Sequence, residues 1–457
     1  MQRVHFIAIG GAAMRNLALA VRKRSNFMVT GSDDHIPEPS YSRLKENNLL
    51  PAELGWFPEK IHKGLHAVIS GVNTAPDNPE LLRAKELGLK IYTMPEYLYH
   101  LTRSKTRIVV AGSHGKTTVV AMILFVLNRL RMDVDYIAGV EDAGLEHWSK
   151  LSYESRIAVF EGDECLISAI DTRPKFHLYK PHVAVLTGIA WDHIRVFPTV
   201  ENYIGQFKTF IDLMEVQGRL IYFDGDENLN EMMLGLRRDI VPFGYNTPEH
   251  EIIDGVTYLD TRKGNIPLKI FGDHNLQNLT AARLACRQIG VTDIQFFEII
   301  AEFPGVVNRL QKIAQTQGTQ VFRDSAHSPS GVRASIGALK QQFPGQKVVA
   351  CYELHTFSSL SGTFLPQYAH SMDKADLAFV YYNPETVKGL GLNVLDPEEV
   401  RKAFGHDNLV VAGDKLALME KLGKVDYGNS SLLFMTSAGF SGMDLPAFAN
   451  QLLKNEV

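Results

Sequence analysis

The stretch "RIVVAGSHGKTTVVAMILFVLNRL", residues 107–130, decides how this chain is read. The apolar β-type residues Ile108–Ala111 run into a glycine turn, and the turn opens a long apolar segment of helix formers. A strand, a tight loop and a helix that starts at Lys116 and Thr117 present backbone N–H groups and a positive dipole end to a phosphate chain. Lys116 then supplies a point charge near terminal phosphates and Thr117 a hydroxyl for Mg2+. Gly112, Ser113, His114, Gly115, Lys116, Thr117 and Thr118 are therefore the expected nucleotide cradle. The loop departs from the standard pattern, because only Ser113 and His114 separate its glycines where a longer spacer is usual.

Outward from this loop, β-type runs alternate with helix-type stretches. "VHFIAIGG", "FMVTGSD", "HAVISG" and "LKIYTM" precede it, and "RIAVFEGDE", "PHVAVLTGIAWDH" and "RLIYF" follow. A third set holds "TQVFRDSAHSPSGVRASIGALKQQF", "KVVACYEL", "ADLAFVYY" and "SLLFMTSAG". The pattern predicts an α/β chain of three domains: a Rossmann-like N-terminal domain over 1–102, a P-loop ATPase domain with a mostly parallel sheet over 103–302, and a Rossmann-like C-terminal domain over 303–457. A chain of 457 residues is long enough for that many cores.

Composition excludes several function classes. Lys and Arg total 47 against 51 for Asp and Glu, a net charge of −4, and neither sign forms a long block, which speaks against nucleic acid as the main ligand. Cys165, Cys286 and Cys351 are odd in number, far apart and without metal-type spacing, as expected in a reducing compartment. The N-terminal apolar run is too short for a signal peptide, and no segment approaches about 18 uninterrupted apolar residues. A soluble cytoplasmic protein with no membrane partner is the expectation.

Three further stretches carry chemistry. In "IAIGGAAMRN", Ala12 and Arg15 stand where a dinucleotide fingerprint needs its second and third glycines, so ordinary NAD binding is not expected. Gly10 and Gly11 still offer N–H groups at a helix start, and Asp33 ends the second strand, where a ribose or base can be held; a purely structural turn is the alternative. "VFEGDE" and "LTGIAWDHIRVF" each deliver a carboxylate or histidine at a strand's C-terminal end, so Glu161 and His193 can meet near the loop as Mg2+ ligands, against a plain surface histidine. "FGDHNLQNLTAARLA" puts Asn275 and Asn278 on one helix face, suited to a purine edge but by pattern more often a cap.

Taken in order, "GSHGKTT", "EGDE", "WDH", "GDHNLQN", the arginine of "GVVNRL" and the aspartate of "RDSAHSPS" resemble the Mur ligase family, the ATP-dependent amide-forming enzymes of peptidoglycan metabolism, over essentially the whole chain. "HFIAIGGAAM" with "TGSDD" resembles members that hold UDP-N-acetylmuramate. "IDTRPKFHLYKPHVAVL" resembles the murein peptide branch, which adds the tripeptide L-alanyl-γ-D-glutamyl-meso-diaminopimelate to that sugar nucleotide; the alanine-adding branch usually lacks this basic insert.

The resemblance implies roles. Lys116 would hold the β and γ phosphates of ATP, Thr117 and Glu161 would bind Mg2+, and His193 would serve a second metal site. His274, Asn275 and Asn278 match an element near adenine, and Arg309 and Asp324 match third-domain residues that approach the nucleotide and the amine on closure. Gly10, Gly11 and Asp33 match the region for the UDP part, and Arg173, Lys175 and His327 are candidates for the peptide substrate. The implied chemistry is an acyl phosphate at the lactyl carboxylate, captured by the peptide's amine under a closed third domain. Arg195 stands where the family often has an aspartate, Ser328 replaces the second histidine of an H-H-P run, and Lys208 lies near the position of a carbamylated lysine in some relatives. L-Alanine as the amine and a catalytically silent nucleotide-sugar binder remain the alternatives.

Overall fold

The computed structural model describes residues 1–137, 149–168 and 171–454. Its first sheet is parallel, with β1 (Gln2–Ile7), β2 (Phe27–Ser32), β3 (Ala67–Ser70) and β4 (Ile91–Thr93) in the order β2-β1-β3-β4. Parallel neighbours need a crossover, and the helices Ala12–Arg22 and Pro79–Glu86 provide two.

The second sheet holds β5 (Thr106–Ala111), β6 (Asp135–Ile137), β7 (Ser149–Lys150), β8 (Ile157–Glu161), β9 (Val183–Leu186), β10 (Arg219–Phe223) and β11 (Val241–Tyr245), in the order β11-β10-β9-β5-β8-β6-β7. Its pairs are parallel except β6 with β7. β5 lies inside this sheet and its residues Ile108–Ala111 are wholly buried, which is why they read as an unbroken apolar run. The helix Lys116–Arg129 is apolar all round for the same reason: the sheet covers one side and the helices Asp273–Arg287 and Asp293–Ile300 the other. A small antiparallel sheet follows, β12 (His250–Ile253), β13 (Val256–Leu259) and β14 (Ile266–Leu268).

The third sheet holds β15 (Gln311–Gln315), β16 (Gln320–Asp324), β17 (Lys347–Leu354), β18 (Leu377–Tyr382), β19 (Leu409–Ala412) and β20 (Ser430–Met435), in the order β15-β16-β20-β17-β18-β19. Only β15 runs antiparallel to its neighbour. The architecture is thus the expected three-domain α/β fold with mostly parallel sheets.

Core continuity differs between the domains. One apolar cluster runs from Val4 and Phe6 of the first sheet and Leu17 of its helix into Ala111 and Phe160 of the second sheet and Phe207 of the helix Val200–Asp212. The third sheet keeps clusters of its own on its two faces, around Tyr352 and Phe404 and around Phe434 and Phe448. The buried members of these clusters all belong to the third domain, and Trp191, Ile194 and Phe271 of the central domain pack against one of them, the arrangement of a separate domain docked on its neighbour. No helix among the described residues is long and apolar enough to cross a membrane.

Candidate active site

The C-terminal ends of β5, β8 and β9 and the loop after β16 converge on a cleft of about 520 Å3, the end of an open α/β sheet where ligands bind. The glycine loop forms its floor. Gly112 and Gly115 both adopt left-handed backbone, φ +126° and +78°. A Cβ on Gly112 would overlap Thr187 Oγ1 and stand 2.8 Å from Thr187 N; one on Gly115 would overlap Asn278 Oδ1. The short spacer is accommodated because β9 and the helix Asp273–Arg287 press directly on the loop. Ser113 N donates to Gly188 O at 2.9 Å, and Ser113 Oγ accepts from Ala190 N at 2.8 Å. Thr118 is buried in the first helical turn.

Lys116 Nζ donates to Gly112 O at 2.6 Å and sits 2.8 Å from Glu164. Burial alone would lower the lysine's pKa, but the Glu164 carboxylate outweighs it and raises it. Burial pushes the Glu164 carboxyl up, and Lys116 and His193 more than reverse this, leaving it below its ordinary value. Glu164 thus holds the lysine where phosphate oxygens would. It was not among the sequence-derived site residues: it lies in a loop three residues past Glu161, where no strand or helix period marks it.

Thr117 Oγ1 donates to Glu161 Oε1 at 2.7 Å, and burial raises the Glu161 carboxyl. A half-buried carboxylate beside a hydroxyl is a hard oxygen pair that suits Mg2+, so these two residues fit the ion. His193 lines the same cleft but pairs with Glu164, its Nε2 3.5 Å from Glu164 Oε1; burial lowers its pKa, and Glu164 and Asp192 bring it above the ordinary imidazole value. Among the described residues no group of three His, Cys, Asp or Glu side chains has metal-site spacing. The structure therefore brings Thr117 and Glu161 together and leaves His193 paired with Glu164.

The expected cap is not where the asparagines are. Gly272, at φ +87°, caps the helix Asp273–Arg287, while Asn275 Nδ2 donates to Phe271 O at 2.9 Å and Asn278 abuts Gly115. Both are buried and line the cleft with His274. Burial lowers the His274 pKa, which Asp324 partly offsets.

From the third domain come Arg309, Asp324 and His327. Asp324 accepts from Leu310 N at 2.7 Å and Ala326 N at 2.6 Å, so its carboxylate braces the loops that carry Arg309 and His327. His327 Nδ1 donates to Ser325 O at 2.9 Å, and its ring lies 3.9 Å from Asp192. The turn after β9 meets the same domain: Trp191 packs edge-on against Phe364, Ile194 N donates to Ser358 Oγ at 3.4 Å, and Arg195 lies over Phe357. Arg195 is thus a domain-contact residue here.

Other expected residues lie elsewhere. Gly10 and Gly11 line a separate cavity of about 740 Å3 in the first domain with Asp33, Trp56 and Asn73. Asp33 accepts from Gly10 N at 2.7 Å and His35 N at 3.2 Å, so it shapes the glycine turn; burial raises its carboxyl. Arg173 is exposed and clamps Asp171, and Lys175 pairs with Asp163 at 2.9 Å, so both cations are already matched by nearby carboxylates. Ile170, the first residue of that stretch, lies outside the described residues. Lys208 is exposed, on the helix Val200–Asp212 whose other face buries Tyr203, Phe207 and Phe210, and does not reach the cleft.

Comparison with known proteins bears on the family and the fold. The Mur ligase middle domain matches residues 110–286, and the Mur ligase family catalytic domain matches residues 3–106. A UDP-N-acetylmuramate–L-alanine ligase of Caldicellulosiruptor bescii is 30% identical over 397 residues, 83% of each chain. Among solved structures, a UDP-N-acetylmuramate-alanine ligase from Thermotoga maritima aligns over 100% of this chain and 99% of its own, with TM-score 0.67 and 21% identity. A murein peptide ligase from Psychrobacter arcticus aligns over 99% and 98%, with TM-score 0.63 and 21% identity. At that identity the two structures bear on the fold alone.

Proposed function

Because the chain belongs to the Mur ligase family and is an ATP-dependent, ADP-forming ligase, we propose that it acts in the cytoplasm on the lactyl carboxylate of UDP-N-acetylmuramate, with L-alanine as the incoming amine. The observation that carries the amine is the L-alanine ligase relative, similar along four-fifths of the chain. A second reading, the tripeptide L-alanyl-γ-D-glutamyl-meso-diaminopimelate as amine, is favoured by the basic insert within "IDTRPKFHLYKPHVAVL", residues 170–186, which the alanine-adding branch usually lacks. Arg173 and Lys175 support that reading little, since Asp171 and Asp163 already engage them. We assign the UDP-sugar to residues 1–102, ATP to 103–302 and the amine to 303–457.

The residues divide the work by charge. Two anions, a phosphate chain and a carboxylate, approach only if their repulsion is neutralised. Lys116, released from Glu164, meets the phosphates, and the loop's N–H groups add fixed dipoles that need no reorganisation. Thr117 and Glu161 would hold Mg2+, which supplies further neutralisation when bound. Asn275 and Asn278 border the loop on the side suited to the adenine. Arg309 lines the cleft, where its charge acts on Glu161, and is available to the transferring phosphoryl group. Docking of the third domain excludes water that would hydrolyse the acyl phosphate before the amine reaches it.

The test is phosphate release from ATP with Mg2+ and UDP-N-acetylmuramate, run in parallel with L-alanine and with the tripeptide, and the product weighed. Release with L-alanine supports the proposal. Release with the tripeptide alone replaces it by the second reading, and release with neither leaves a nucleotide-sugar binder.

A further inference from the structure

His114 stands in the middle of the glycine loop, yet its side chain engages another domain. Its Nε2 lies 2.7 Å from Ser330 Oγ and 3.2 Å from Ser328 Oγ, across a sequence separation of 216 residues in the first case. Both serines belong to the start of the third-domain helix Pro329–Gln342, and Ser328 is its N-cap, accepting from Gly331 N. The imidazole is neutral: burial and the neighbouring His327 and Lys116 push its pKa down to about 4. A neutral ring offers a directional hydrogen bond to the serines and no net charge to a phosphate.

The loop is otherwise held by the central domain. Thr187 Oγ1 donates to His114 O, Gly188 O accepts from Ser113 N, and Asn278 abuts Gly115. Phosphate binding to the loop's N–H groups and docking of the third domain, whose Ser328 and Ser330 line the same cleft, therefore act on the same short piece of backbone. Two events that order one element favour each other, and the coupling is reciprocal.

We infer that His114 is a positioning residue that couples nucleotide occupancy of the loop to docking of the third domain through Ser330. Nucleotide in the loop fixes the imidazole where Ser330 can meet it, and the docked helix in turn holds the loop in its phosphate-binding form. This deepens the ligase reading and rests on it for the nucleotide.

The test uses the full chain, ADP with Mg2+, titration calorimetry and small-angle scattering, so no amine is needed. Ser330→Ala should lower ADP affinity by about fivefold or more and abolish the ADP-induced decrease in radius of gyration. His114→Ala should do the same, and the double variant should lose no more than the worse single one. His114→Gln, which keeps a hydrogen-bonding group at that reach, should recover most of the loss. Melting midpoints within about 2 °C of the parent exclude a folding defect. Unchanged ADP affinity in Ser330→Ala, or losses that multiply in the double variant, would overturn the coupling while the ligase reading stands. Failure of the parent chain to bind ADP would remove both.

Discussion

Gly112→Ala isolates the reason this loop can be short. At φ +126° any side chain is strained, a cost of about 1–2 kcal/mol in left-handed backbone. The new Cβ would overlap Thr187 Oγ1, which a rotamer change can relieve, but it would also stand 2.8 Å from Thr187 N and 3.0 Å from Gly188 O. Those two are backbone of β9's continuation, so the loop itself must shift. A shifted Gly112 carbonyl no longer meets Lys116 Nζ, now 2.6 Å away, and hydrogen bonds to charged groups contribute about 1.5–3 kcal/mol. Together the terms predict a loss of about 3 kcal/mol in nucleotide binding, upward of a hundredfold in ADP affinity. Gly290→Ala is the control: its φ is +92° and a Cβ there meets nothing within 4 Å, so it carries backbone strain alone and lies away from the cleft. Calorimetric titration with ADP and Mg2+ reads both. If Gly112→Ala binds ADP within about threefold of the parent, a shift of under 1 kcal/mol, the loop is not held by Thr187 and Gly188 as described.

Lys116→Ala should abolish ATP turnover and leave UDP-N-acetylmuramate binding unchanged, since the first-domain cavity holds none of the loop; calorimetry with each ligand separates the two. Glu161→Gln should remove Mg2+-stimulated turnover while Mg2+-free ADP binding persists, and equal stimulation by Mg2+ would exclude Glu161 as its ligand. Glu164→Gln strands a buried ammonium and should cost about 3 kcal/mol at neutral pH, seen as a lower melting midpoint. Because the Glu164 pKa is depressed, its contribution is present above the ordinary carboxylate range and lost as pH falls through the depressed value, so the midpoints of parent and variant should converge in acid. Arg173→Ala breaks only an exposed pair with Asp171, worth about 0–1 kcal/mol, and should change the amine's KM by less than about twofold; a larger rise would show the guanidinium leaving Asp171 for the substrate.

The sequence made the scaffold legible because parallel strands buried on both faces leave unbroken apolar runs, and β5, β9 and β20 are such runs. It also singled out the loop, Glu161 and Asn278, which the structure brings to one cleft; the loop and Glu161 stand at strand ends, where period and motif coincide. What escaped it are contacts between loops and domains, which no period encodes. Glu164 is invisible as a lysine partner because its neighbours in sequence do not predict that it turns back toward β5. Arg195 reads as a defect in a metal motif until Phe357, far along the chain, is seen beneath its guanidinium. His114 reads as a phosphate-loop residue until Ser330 is seen against its ring. These last two share a direction: His114 within the loop and Arg195, where the family often has an aspartate, both meet the third domain. The groups proposed for phosphate and Mg2+ all belong to the central domain, so His114 and Arg195 are best understood as part of the surface against which the third domain docks. It follows that exchanging Arg195 for the family's usual aspartate should weaken docking rather than repair a metal site, since a carboxylate over the Phe357 ring face is repelled where a guanidinium is attracted. Arg195→Asp should therefore reduce the ADP-induced compaction in scattering and leave the Mg2+ requirement unchanged; a lowered Mg2+ requirement with normal compaction would return the residue to the metal site.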